Sequence, residues 1–136
     1  MADHTTYLSE AKLQRQNDVG LYAINKRVAL ANSTGATGGS QNDTQQLIPI
    51  SRAGRIYAGG VQHDGTLGAS CTLTLRRNRG GTRTAMTAAT TAGGAGQALL
   101  TKPIDVAADD VIEILIGGAN VGAAATVDVD LLIQHT

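Results

Sequence analysis

The chain has 136 residues, enough to bury one hydrophobic core unaided, and its single cysteine, Cys71, excludes an intrachain disulfide framework. Eleven Lys/Arg balance eleven Asp/Glu, and this zero net charge argues against a dedicated nucleic-acid binder. There is no Trp or Phe, and the only aromatics are Tyr7, Tyr22 and Tyr57, so the ring platform on which sugars and single-stranded bases stack is nearly absent.

The opening stretch MADHTTYLSEAKLQRQ lacks an apolar run behind a basic end, and no segment approaches the ~20 apolar residues that span a bilayer. Synthesis and use without export and without a membrane are the expectation. Thr6 is placed to cap a short helix over residues 7–16, with Leu8 and Ala11 on one side, and Asp18-Val19-Gly20 would stop it. GLYAINKRVALA, residues 20–31, fits a helical stripe (Leu21, Ile24, Val28, Ala31). It also fits a strand face (Tyr22, Ile24, Val28, Leu30) interrupted by Lys26, and the strand is preferred. Residues 32–45 are polar and glycine-rich and read as a loop. Residues 1–45 are therefore expected to be an arm with no compact core of its own, and residues 46–136 the folded domain.

From Gln46 onward short alternating runs are separated by turn signals, the pattern of an all-β sandwich or barrel. Strands are expected near 46–51, 55–62, 69–77, 83–89, 98–106, 111–116 and 125–134. Asn78-Arg79-Gly80-Gly81 is a hairpin candidate with residues suited to positive φ. Pro49 and Pro103 place their strands at an edge or near a strand end. Cys71, Leu73 and Leu75 alternate as core positions, so Cys71 reads as a small buried hydrophobe. In the last strand Val127, Val129, Leu131 and Ile133 share one face; Asp128 and Asp130 share the other.

Catalytic and metal chemistry find little purchase. His4, His63 and His135 have no second ligand at a recognised metal spacing, and two carboxylates at Asp128 and Asp130 are too few for a cation site. The glycine-rich segments match no phosphate loop, and no serine or cysteine has a base beside it. No enzyme, cofactor, small-molecule substrate or metal is expected.

Charge is unevenly distributed: up to residue 100 there are ten Lys/Arg and five Asp/Glu, +5; from residue 101 there are one Lys and six acids, −5. Such asymmetry serves self-association or else averages out over the folded surface. The densest basic stretch, RRNRGGTR, puts Arg76, Arg77, Arg79 and Arg83 around a Gly-Gly turn. It reads as a solubilising tip or as a loop docking on an acidic protein surface, more than as a phosphate contact.

Lys102–Thr136 runs from a proline-containing strand through an Ala-Asp-Asp turn and the strand VIEILI to a Gly/Ala loop and a terminal strand. This arrangement resembles the C-terminal part of small jelly-roll modules of virion proteins. The whole chain resembles the decoration, or cement, proteins of tailed-bacteriophage heads. The resemblance implies a jelly-roll-like β-sandwich of seven to eight antiparallel strands with an extended N-terminal arm. It implies homotrimers on the capsid surface that bind the major capsid protein and stabilise the lattice. Tyr7, Leu8, Leu13 and Tyr22 of the arm and the four arginines are the expected partner contacts. The alternative is a tail, fibre or spike module that binds a host-surface ligand.

Overall fold

The structure is a computed structural model that describes residues 21–30, 42–64, 67–68, 70–91, 95–122 and 125–136. Among these the chain forms nine strands and no helix: β1 (Leu21–Leu30), β2 (Thr44–Pro49), β3 (Gly54–His63), β4 (Thr72–Arg79), β5 (Thr82–Ala85), β6 (Gly96–Leu99), β7 (Ile104–Val106), β8 (Val111–Gly117) and β9 (Ala125–His135). Two antiparallel sheets face each other. Sheet A has the order β1-β9-β3-β6, with β7 also on β3, and sheet B the order β2-β8-β4-β5.

These pairings have a simple logic. β4 pairs with β5, β3 with β6 and β7, β2 with β8, and β1 with β9. The chain is thus folded back on itself as one long nested hairpin whose apex is Gly80-Gly81. Rolling that ribbon up sends its successive pairs alternately to sheets B and A and adds the contacts β3–β9 and β4–β8. The result is a jelly roll. At the apex, Arg79 faces Thr82 across a two-residue turn in which Gly80 (φ 58°) and Gly81 (φ 92°) both take positive φ. That is the turn whose twist matches paired strands, and Gly tolerates it without strain. The Asn78 side-chain oxygen accepts the Gly81 N–H, 2.9 Å.

The alternation of the sequence is the alternation of burial. Val127, Val129, Leu131 and Ile133 of β9 face Leu73, Leu75, Ile112, Ile114 and Ile116 of sheet B, all essentially inaccessible, with Cys71 among them. The terminal strand therefore forms as expected. The Cys71 thiol pKa is pushed up by burial, consistent with a packing role.

Three expectations are corrected. The arm expected over residues 1–45 does not hold from Leu21 onward. β1 is a full edge strand of sheet A, in register with β9 along its length, with Ile24 and Leu30 buried and Val28 packed on the core. Lys26 breaks the apolar pattern because it lies at the sheet edge, where a long side chain can carry its ammonium to solvent. Thr44 and Gln45 likewise belong to β2. Residues 1–20, with the expected helix over 7–16, lie outside the described residues.

The strand expected over 98–106 is two strands on the same flank of β3. β6 pairs with Gly60–His63 and β7 with Gly54–Ile56; the chain leaves the sheet between them, around Pro103, beside a bulge at Tyr57. The strand expected over 83–89 stops at Ala85 because threonine side chains replace the ladder. Thr87 Oγ1 accepts the N–H of Leu75 at 3.1 Å, and Thr90 Oγ1 accepts that of Leu73 at 3.0 Å. Both threonines are buried. Thr90→Val should leave the buried Leu73 N–H unmatched and lower unfolding stability by about 1–3 kcal/mol in a urea titration. Thr91→Val, at an exposed neighbour, should change it by less than about 0.5 kcal/mol.

Candidate interaction surfaces

The four arginines singled out by the sequence do converge on sheet B, but each has a partner within the chain. β8 places Ile112, Ile114 and Ile116 inward and Glu113 on the outer face. There Arg76, opposite Glu113 on β4, donates to Glu113 Oε2 and to Thr44 Oγ1 of β2, the latter at 2.6 Å. Arg83 reaches over from β5 to the same Glu113 oxygen at 3.1 Å. The Glu113 side chain is 0% exposed beneath them, and no donor among the described residues reaches its Oε1.

Arg77 and Arg79 point the other way, toward the open end of the sandwich. Arg77 donates to the Asp105 carbonyl of β7 at 2.8 Å, tying sheet B to sheet A. Arg79 holds Asp110 through Nη2, 2.8 Å, and Nε. Asp110 Oδ2 also accepts the Ala107 N–H, closing the β7–β8 turn. Asp109, at φ 73°, makes that turn's left-handed step. The Arg79 bond holds the Asp110 carboxyl below the usual carboxylate range, helped by the Ala107 N–H, although burial opposes it.

Two further pairs lie on the outer face of sheet A. Arg27 of β1 meets Asp128 of β9 at 2.9 Å, and Arg55 of β3 meets Asp105 of β7 at 2.7 Å. Both arginines are well exposed, and such pairs contribute little to stability. These five ion pairs among the described residues each join an arginine from the first 83 residues to an acid beyond residue 100. The charge asymmetry of the sequence is in large part neutralised inside one molecule.

Of the other expected contact residues, Tyr22 lies in β1 opposite Ile133, and Tyr7, Leu8 and Leu13 fall outside the described residues. The sequence reading missed Tyr57 and Leu99, the large hydrophobics that stand exposed, both on the outer side of sheet A. The signal for Tyr57 was hidden by the bulge, which turns it and Ala58 outward together. His63 is buried against Thr90 Oγ1, 3.2 Å away, and His135 Nδ1 lies 3.2 Å from the Ala53 carbonyl. Among the described residues no three His, Cys, Asp or Glu side chains gather as a metal site, and no helix is long and apolar enough to cross a membrane.

The Glu113 cluster is a buried charge network, so removing one member costs more than the network contributes. Glu113→Gln should destabilise the protein by about 3–5 kcal/mol. Glu113→Leu combined with Arg76→Met should recover most of that loss in the same denaturation assay. For Asp110 the folded pKa is depressed, so its contribution is complete above the unfolded value of about 3.9 and is lost as pH falls through the folded value. Asp110→Asn should therefore flatten the fall in melting temperature below about pH 4 while lowering stability at neutral pH.

No protein-family model matches the chain, and no curated protein does. Solved structures do. A chain of the cyanophage Pam1 capsid asymmetric unit superposes with a TM-score of 0.60 at 18% identity, covering 85% of each chain. A chain of the infectious bursal disease virus Gx strain superposes with a TM-score of 0.50 at 14% identity, covering 85% of this chain but only 32% of that one. At these identities the likeness is one of fold: the chain is a jelly-roll sandwich of the kind found in virus particles.

Proposed function

We propose that this chain is a structural virion protein that binds the outer surface of a phage head and stabilises the capsid lattice through subunit contacts. The observation that carries the reading is the nested jelly-roll topology, which matches a chain of a phage capsid structure over 85% of both lengths.

The partners in this reading are the major capsid protein and further copies of the same chain, in a homotrimer. Tyr7, Leu8, Leu13 and Tyr22 would supply contacts from the N-terminal side. The exposed parts of Arg77, Arg79 and Arg83 would meet carboxylates of a neighbour. An extended segment buries much surface per residue and meets its ordering cost on binding. Repetition over a lattice then adds avidity to weak individual contacts. A second reading, a tail, fibre or spike module that binds a host-surface ligand, draws support from an open polar cleft on sheet A.

Quantitative mass spectrometry of purified particles separates them. A decoration role predicts copies in the hundreds, near the abundance of the shell protein; a tail or spike role predicts a handful, and absence from particles overturns both. Because β1 is part of sheet A, the informative truncation removes residues 1–20 only. That variant should fold with a melting temperature close to the full chain and lose its attachment to heads; retained attachment would take the anchoring role away from the segment.

A further inference from the structure

The cleft on sheet A has a chemistry that the virion reading does not use. Cross-strand register lines up four polar residues in one row over four strands. Arg27 of β1 lies opposite Asp128 of β9, Asp128 opposite Gln62 of β3, and Gln62 opposite Gln97 of β6. At ~4.8 Å between strands, the row spans about 14 Å. Arg27 is tied to Asp128, but it is 71% exposed and keeps donors to spare. Gln62 and Gln97 are exposed, and their amides have no partner among the described residues. Each therefore offers a donor and an acceptor to whatever occupies the cleft.

Asp64 closes the rim. One of its carboxylate oxygens accepts the Thr126 N–H at 2.8 Å, which fixes its position beside Arg27. At the end of the row Gly96 packs on the inner side against the buried His63, where a β-carbon would run into the imidazole. Leu99, 62% exposed, stands two residues along β6 from Gln97 and so on the same face. The open cleft offers about 400 Å³, within the range of small-ligand sites.

We propose that this cleft binds a neutral, polyhydroxylated ligand, a glycan segment of about disaccharide size. Two carboxylates beside one guanidinium disfavour phosphate and other anions. The unengaged amides and the spare Arg27 donors suit hydroxyls, which both give and take hydrogen bonds. Leu99 offers an apolar surface to the C–H side of a sugar ring, in place of the aromatic platform the chain lacks. The site does not depend on the virion reading, and it is tested on the isolated full chain.

The experiment is a heteronuclear NMR titration of the ¹⁵N-labelled chain with maltose, lactose and N,N′-diacetylchitobiose in turn, with inorganic phosphate as the anionic control. At least one disaccharide should shift the backbone amide signals of Asp64, Thr126 and Asp128 saturably in the millimolar range. Gln62→Ala with Gln97→Ala should weaken that response about tenfold or more while leaving the melting temperature unchanged. No shift with any of the three sugars at tens of millimolar, a shift that survives in the double variant, or a response to phosphate alone would each overturn the assignment.

Discussion

Both sheets are completed from the C-terminal end of the chain. β8 lies between β2 and β4 in sheet B, and β9 lies between β1 and β3 in sheet A. Every other strand of either sheet is a flank of one of these two or of a strand that already pairs with it. Until residues 111–135 are in place, β1 and β2 have no partner at all, and β3 and β4 lack the central strand of their sheet. Of the strand pairs, only β4–β5 joins neighbours in sequence. The loop-closure cost of the others is met before their contacts form, a topology that makes folding slow and strongly cooperative.

The same constraint accounts for where the charges went. If the last two long strands are central, their acidic residues must meet side chains from earlier, flanking strands. Asp128 meets Arg27 across β1–β9, and Glu113 meets Arg76 across β8–β4. Asp110, at the start of β8, meets Arg79 at the end of β4. Three of the sequence-distant strand pairings, β1–β9, β3–β7 and β4–β8, carry an ion pair of their own. A register slip by one residue would carry Glu113 into the apolar layer and Ile112 or Ile114 out of it. Glu113 is costly to bury, and that cost is incurred in the native register only because two guanidinium groups are waiting there. Fixing the register is thus a more persuasive reason for the cluster than net stability.

This also marks what could be read from the sequence. Alternation exposed β9, β8 and the Cys71–Leu75 stretch because each has one wholly apolar face. The Gly-Gly apex was readable from residues suited to positive φ. Pairing was not readable, since no local signal says that residue 24 will lie against residue 131. That is why β1 looked like part of an arm: its buried face is short, interrupted by Lys26, and makes sense only beside β9. The arginine cluster misled for the same reason. Its neutralising acids are about thirty residues away in sequence, so the stretch looked unpaired. Thr87 and Thr90 read as ordinary strand residues, although their hydroxyls do the work of a backbone.

Such a topology divides the molecule's surface into parts with different freedom to change. The connections β1–β2, β3–β4, β5–β6 and β8–β9 leave from one end of the sandwich, where Leu30, His63, Gly96 and Gly117 end or begin their strands. The apex turn, the β7–β8 turn and the β2–β3 connection occupy the other end, clasped by Arg77 and Arg79. The outer face of sheet B is committed to the Glu113 network. Among the described residues the outer face of sheet A carries exposed ion pairs, the Asn25–Asp130 bond, Tyr57, Leu99 and the unengaged Gln62 and Gln97, so residues there can vary with less disturbance of the core. β1, its long edge strand, carries the inward-facing Lys26, a charge that discourages indiscriminate strand addition at an exposed edge. A protein that must meet other surfaces while staying folded as a single layered unit needs this separation. Here it leaves the outer face of sheet A the freer to vary, while the Glu113 network on sheet B holds the chain in register.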